Sequence, residues 1–113
     1  MSVASKANGL KQLAHVTEAF RTLYRDIMAN EMLTFLFVAQ NDGLQMSELQ
    51  DMLGISQSAV SRNVNFLTKH GANSRPGLEL LQLVEDVDNR RRRRVYLTPK
   101  GKAFVRTLDA LTA

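Results

Sequence analysis

Apolar residues recur every three or four positions through the first part of the chain, which is the spacing of an amphipathic helix. This stripe predicts a long helix over residues 10–29. A second helix, residues 31–40, is apolar almost all round, and Asn30 is placed to cap it. We therefore expect the second helix to be buried at the centre of the domain.

The middle of the chain has the pattern of two short helices joined by a tight turn. Ser47 begins a capping-box pattern, with a glutamine three residues later. Ser56 is the predicted cap of the second helix, residues 56–69, and Gly54 permits the sharp turn between the two. Residues 47–70 are therefore predicted to form a helix-turn-helix.

Two runs with strand character come next, separated by the turn signal Val87-Asp88-Asn89. They predict a β-hairpin, called the wing, over residues 78–97. Thr98 is the expected cap of a last helix, residues 99–111, with Pro99 at its first position. The predicted fold is mainly α with a small β-hairpin (α+β), a winged helix-turn-helix flanked by N- and C-terminal helices.

The chain has 113 residues, 44% of them apolar, which fits a single domain over residues 10–113 after a flexible start at residues 1–9. It contains no cysteine, and this excludes disulfides and thiolate zinc sites. The longest apolar run is too short to span a membrane, and the N-terminal residues lack the layout of a signal peptide. We therefore expect a cytoplasmic protein that does not bind a membrane.

Charge is distributed unevenly between the two halves of the sequence. Residues 1–55 carry four basic and six acidic side chains, net −2, whereas residues 56–113 carry eleven basic and five acidic ones, net +6. No Asp or Glu occurs between Ser56 and Gly71, and five consecutive arginines lie in the predicted wing. A basic half of this kind is typical of proteins that bind a polyanion, and nucleic acid is the leading candidate.

The sequence has no pattern typical of a catalytic or metal site. His15 and His70 fall in different predicted helices, and no acidic residues have the spacing of a triad or metal site around them. Glu85, Asp86 and Asp88 share a turn but lack the glycine and the spacing of a calcium loop. We therefore expect no enzymatic activity, no metal and no cofactor.

Two segments together resemble the MarR family of bacterial transcription regulators. They are SELQDMLGISQSAVSRNVNFLTKHG and VEDVDNRRRRRVYLTPKGKAF, and the resemblance spans roughly residues 30–105. It implies a transcription regulator that binds double-stranded DNA, with the second helix of the helix-turn-helix, the recognition helix, in the major groove. It also implies that a wing arginine lies in the adjacent minor groove. We expect a homodimer that acts as a repressor.

The recognition helix carries short donors and acceptors near its start, where base edges are reached in this motif. Arg62 and Gln57 are the expected base readers, while the serines are expected to hold phosphates or cap the helix. The predicted DNA-binding residues are Ser47, Ser56, Gln57, Ser58, Ser61, Arg62, Asn65, Lys69, Arg75, Arg90, Arg91, Arg92, Arg93 and Arg94. Because side chains alternate along a strand, the wing arginines should point to both faces.

The sequence departs from the family pattern in two places. The family's wing has Asp-x-Arg at a fixed distance before Leu-Thr; here Arg91 matches the arginine, but Asn89 occupies the aspartate position. Asp86 and Asp88 lie close by as possible substitutes in bracing the arginine. The second departure is the segment 72–79, which looks inserted between the recognition helix and the wing.

The apolar stripes of the first and last helices exceed what one small core requires, and this favours a two-fold interface over the alternative, the closed core of a monomer. The residues predicted for that interface are Leu10, Leu13, Phe20, Tyr24, Phe104, Leu108 and Leu111.

Two other functions stay open, a DNA-binding replication or maintenance protein and a protein-binding module that antagonises another regulator. Many family members also bind small aromatic acids between the dimer helices and the winged domain, and nothing in this sequence marks such a pocket.

Overall fold

The computed structural model describes residues 3–89 and 92–113 of the chain. The described residues form α1 (Val3–Leu23), α2 (Ala29–Gln40), β1 (Leu44–Gln45), α3 (Met46–Leu53), α4 (Gln57–Leu67), β2 (Leu81–Glu85), β3 (Arg93–Leu97) and α5 (Pro99–Thr112). The helix-turn-helix consists of α3 and α4, and the hairpin consists of β2 and β3. The fold class predicted from the sequence is therefore confirmed.

The wing belongs to a three-stranded antiparallel sheet with the strand order β1-β3-β2. Along its full length β3 pairs with β2, and on its other edge it pairs with the two residues of β1, where Leu44 lies opposite Val95. The sequence predicted only the hairpin, because a strand of two residues is too short to show alternation. Strand β1 therefore connects the wing to α3, the first helix of the helix-turn-helix, through its pairing with β3.

Three phenylalanines join the two terminal helices to α2. The rings of Phe20 in α1, Phe35 in α2 and Phe104 in α5 meet edge to face, with centroids 5.0 to 5.9 Å apart. Aromatic rings prefer this geometry, and all three side chains are buried. Helix α2 therefore packs between the two terminal helices, but it is not buried all round as its apolar sequence predicted, because Leu33 is 40% exposed.

Both N-terminal helices start earlier than predicted. Helix α1 begins at Val3, inside the segment predicted to be a flexible start, and it ends at Leu23; residues 1 and 2 of that segment lie outside the described residues. At the start of α2 the Glu31 carboxylate accepts a hydrogen bond from the Met28 backbone amide at 2.8 Å. The prediction that Asn30 caps α2 is wrong, because the side chain of Glu31 reaches back to the residue that precedes the helix.

The start of α3 also differs from the prediction. The Glu48 carboxylate accepts a hydrogen bond from the Gln45 backbone amide at 3.0 Å, so Gln45 is the residue at the cap position. Ser47 is the second residue of α3, and its side chain is exposed. The capping box predicted from Ser47 is therefore wrong. Gln45 and Glu48 have the same spacing as Ser47 and Gln50, and the carboxylate is the stronger acceptor.

Candidate nucleic-acid interface

Gly54 and Ser56 define the turn that leads into α4. Gly54 ends α3 in the left-handed conformation with a φ of 65°, which glycine adopts without steric cost. The Ser56 hydroxyl accepts a hydrogen bond from the Ala59 backbone amide at 3.1 Å and lies 3.2 Å from the Ser58 hydroxyl. The prediction that Ser56 caps this helix is confirmed.

Helix α4 has an apolar face and a polar face. Val60, Val64 and Leu67 are buried, as the sequence predicted. The predicted contact residues that are exposed on the other side are Gln57, Ser58, Arg62 and Asn65, and Ser61 is half-buried. Lys69, just beyond the helix, is exposed as well. Since residues 56–71 include no Asp or Glu, the polar face has cationic and neutral side chains only.

The register of β3 decides where Arg93 lies. Val95 and Leu97 are buried, and Arg93 continues the same face of the strand because side chains alternate. Arg93 borders a groove of about 320 Å³ together with Gln57 and Ser61 of α4. The other residues along the groove are Gln45, Met46, Ser47, Gln50, Val60 and Arg92. Two wing arginines, Arg92 and Arg93, therefore border the groove beside the polar face of the recognition helix.

Arg92 and Arg94 share an acidic partner. The Arg94 Nε lies 3.4 Å and the Arg92 Nη1 3.7 Å from Oδ2 of Asp86. Arg94 also donates a hydrogen bond to the Gly43 carbonyl oxygen at 3.0 Å, on the face of the sheet opposite to Arg93. Asp86 thus braces Arg92 and Arg94, whereas the bracing predicted from the family's Asp-x-Arg motif concerned Arg91. Arg90 and Arg91 lie outside the described residues.

Arg75 is half-buried beside α4 and lies outside its polar face. Its Nη2 lies 2.6 Å from Oε2 of Glu31, whose side chain is fully buried, and the Arg75 side chain is 17% exposed. Its guanidinium carbon lies 3.8 Å from the centroid of the Phe66 ring. The hydrogen bond to the Glu31 carboxylate raises the pKa of Arg75 above its ordinary value. This ion pair engages Arg75 within the fold, and its predicted contact with DNA stays a prediction.

Several residues of this region were not predicted from the sequence. Gln45, at the end of β1, borders the groove together with Met46 and Gln50 of α3. The Gln45-x-x-Glu48 spacing is the sequence signal that predicts a helix starting at Met46. Glu31 was missed because an acidic residue in the first turn of a helix ordinarily faces solvent, where it favours the helix dipole.

The residues predicted for a dimer interface divide into two groups. Three of them are buried within the single chain: Phe20, Phe104 and Leu108. Their assignment to an interface is corrected, since they already form the core of one protomer. The other four are exposed or half-buried: Leu10, Leu13, Tyr24 and Leu111. Leu10 and Leu13 are 69% and 66% exposed on α1, so this part of the predicted interface is available to a second molecule.

Known proteins share both the sequence pattern and the fold. The sequence model of the MarR family matches residues 26–72, which include α2, α3 and α4. FabT of Streptococcus pneumoniae, solved in complex with DNA, is 21% identical with a TM-score of 0.68, over 97% of this chain and 71% of that one. A MarR transcriptional regulator from Methanosarcina mazei Go1 is 19% identical with a TM-score of 0.67, over 96% and 71%. MepR of S. aureus, also solved with DNA, is 17% identical with a TM-score of 0.64, over 96% and 76%.

No curated protein matches the chain in sequence. None of the helices in the described part of the chain is long and apolar enough to cross a membrane. The family match covers the helix-turn-helix, and the structural likeness extends over the flanking helices and the wing. The chain is therefore similar to the MarR family of transcription regulators in this part of its sequence and in its fold.

Proposed function

We propose that the protein binds double-stranded DNA sequence-specifically as a homodimer in the cytoplasm and represses transcription. The observation that carries the proposal is the exposed polar face of α4, free of carboxylates and flanked by Arg93. Such a face offers hydrogen bonds to base edges in the major groove, and its positive charge attracts the phosphate backbone. That FabT and MepR were solved with DNA supports this use of the fold.

In this proposal Arg62 and Gln57 read bases in the major groove. Arginine pairs with guanine and glutamine with adenine through two hydrogen bonds each. Both side chains are exposed in the N-terminal half of α4, the part of a recognition helix that reaches base edges. Asn65 extends the reading face. The proposed phosphate contacts are Ser47, Ser56, Ser58, Ser61 and Lys69.

The wing follows the minor groove, with Arg93 as its contact nearest to α4. A narrow minor groove concentrates negative potential and attracts arginine. Arg92 and Arg94 are held by Asp86, so Arg93 contributes more to binding than either neighbour. Arg90 and Arg91 extend the basic strand in sequence, and their contribution rests on the sequence prediction alone.

A homodimer places two recognition helices on one face of the duplex. Leu10 and Leu13 on α1 offer exposed apolar surface for the contact between protomers. Two-fold symmetry then predicts an operator that is an inverted repeat, with half-sites about 34–36 Å apart. Occupying such a site within a promoter excludes the polymerase, and this is how the protein represses. The function needs no catalytic step, metal or cofactor.

Selection of random duplex DNA by the purified full chain tests the proposal. At about 150 mM salt non-specific contacts are strongly weakened, and we expect a short inverted repeat to be recovered. Uniform recovery of all sequences would instead favour a replication or maintenance protein. Recovery of no DNA would favour a protein-binding module that antagonises another regulator.

Arg62→Ala tests the base-reading role of α4. On the selected duplex the substitution should cost about 1–3 kcal/mol of binding free energy and relax the preference at one base position. Lys69→Ala is the matched control, because loss of a phosphate contact weakens selected and scrambled duplexes alike and lowers the salt slope by about 1. An equal loss for Arg62→Ala on both duplexes would show that Arg62 does not read a base.

A further inference from the structure

The loop between α4 and β2 caps the C-terminal end of the recognition helix. The Leu78 backbone amide donates to the Phe66 carbonyl at 3.0 Å, and the Leu80 amide donates to the Leu67 carbonyl at 2.8 Å. Carbonyl groups in the last turn of a helix have no partner within the helix. The segment that looked inserted in the sequence thus completes the hydrogen bonding of α4.

A tight turn within this loop determines where Arg75 lies. Ala72 and Arg75 exchange two backbone hydrogen bonds of 2.9 and 3.3 Å. Between them Asn73 and Ser74 have φ values of 54° and 66°, and two consecutive positive values are typical of a type I′ turn. Asparagine tolerates this conformation better than serine. The strained backbone at Ser74 therefore has to be offset by contacts that the turn makes possible.

The loop is packed directly against the end of α4. A Cβ atom on Gly77 would overlap the Thr68 carbonyl oxygen, and one on Gly71 would overlap the Arg75 carbonyl oxygen. Gly71 also has a φ of 73°, which a larger residue rarely adopts. The loop thus has little freedom to move relative to the recognition helix.

Arg75 connects three elements through its guanidinium group. It forms the 2.6 Å ion pair with Glu31 at the start of α2 and stacks on Phe66 of α4. The Tyr24 ring, after the end of α1, lies 5.6 Å from the guanidinium carbon and meets the Phe66 ring edge to face at 5.1 Å. The second carboxylate oxygen of Glu31 accepts the hydrogen bond from Met28. One oxygen of the buried carboxylate therefore holds the backbone at the start of α2, and the other holds Arg75 of the loop.

We propose that Arg75 and Glu31 are positioning residues for DNA recognition, fixing the direction of α4 without touching DNA. The inference rests on the proposed function, in which α4 reads bases. Arg62 and Arg75 border the same cleft of about 340 Å³. A tilt of α4 relative to the loop would therefore displace the guanidinium of Arg62. Because Glu31 neutralises Arg75, the charge that this cleft offers to DNA is that of Arg62.

The test measures binding of three variants to the selected duplex and to a scrambled duplex of equal length. Arg75→Gln should bind the selected duplex with about tenfold lower affinity, a loss comparable to that of one base contact. Its affinity for the scrambled duplex should be unchanged. The Glu31→Gln/Arg75→Met double variant leaves no unpaired buried charge, so it should fold and show the same loss. Arg75→Lys should recover part of the lost affinity, because lysine keeps the positive charge. The recovery should be incomplete, because lysine cannot stack on Phe66 as a planar group.

Two outcomes of these measurements would overturn the inference. Equal losses on both duplexes, with a salt slope lowered by about 1, would make Arg75 a phosphate contact. Wild-type affinity and selectivity in the folded double variant would show that the ion pair does not position α4. The control is Arg62→Ala, which should lose selectivity without any change in the loop.

Amide hydrogen exchange separates a failure of this inference from a failure of the proposed function. In the double variant the Leu78 and Leu80 amides should exchange faster than in the wild type, because they report the attachment of the loop to α4. The exchange rates of the α5 amides should be the same as in the wild type. If the wild type selects no DNA, the proposed function fails, and exchange at these two amides still decides whether the ion pair anchors the loop. Unchanged exchange would overturn the anchoring.

Discussion

The loop 71–80 and the wing both follow the recognition helix and both carry arginine, but they use it in opposite ways. Arg75 is 17% exposed and lies 2.6 Å from a fully buried carboxylate. Arg92 is 46% exposed and lies 3.7 Å from the partly exposed Asp86. An arginine whose partner is buried is neutralised and structural, whereas one whose partner is solvated keeps charge for a polyanion. The burial of the partner therefore decides the role of each arginine.

The largest effect that would test this comparison is on stability. Arg75→Ala leaves Glu31 buried without its counter-ion and should lower the free energy of unfolding by about 3–5 kcal/mol. Arg92→Ala removes an exposed pair and should cost at most about 1 kcal/mol. Urea denaturation of the two variants measures both. Similar midpoints for the two would mean that the buried pair is no more important to the fold than the exposed one.

A smaller effect tests the packing of the two regions. Gly77→Ala places a methyl group against the Thr68 carbonyl, and overpacking of this kind costs about 1–3 kcal/mol. The matched substitution in the wing is Val87→Ala, at a residue that is 98% exposed, where about 0.5 kcal/mol or less is expected. Thermal unfolding measures both changes. A neutral Gly77→Ala would show that the loop adjusts easily and is not a rigid anchor.

The parts of the fold that depend on local signals could be predicted from the sequence. Ser56 and Thr98 each accept a hydrogen bond from an amide three residues on, and Gly54 adopts the left-handed turn. A cap or a turn depends on a few neighbouring residues, so the local sequence pattern is enough to predict it. The polar face of α4 was predictable for the same reason, because burial of Val60 and Val64 determines which side faces out.

The parts that depend on distant partners could not be predicted. Arg75 and Glu31 are 44 residues apart, and nothing in the local sequence of either distinguishes it from a solvated surface charge. The same holds for Phe20 and Phe104, which have the helical spacing of an interface but meet each other in the core at 5.0 Å. Periodicity shows that a face is apolar and leaves open whether it packs within one chain or between two.

The smallest expected effects separate two neighbouring arginines of the wing. Arg93 faces the groove beside α4, whereas Arg94 contacts Asp86 and the Gly43 carbonyl. Arg93→Ala should therefore lower the slope of log affinity against log salt by about 1 and leave the unfolding midpoint unchanged. Arg94→Ala should leave that slope nearly unchanged and cost up to about 1 kcal/mol of stability. Affinity titrations over a range of salt concentrations, together with urea denaturation, measure both properties. If the two variants exchanged these behaviours, the face of β3 assigned to DNA would be the wrong one, since alternation along a strand puts neighbouring side chains on opposite sides.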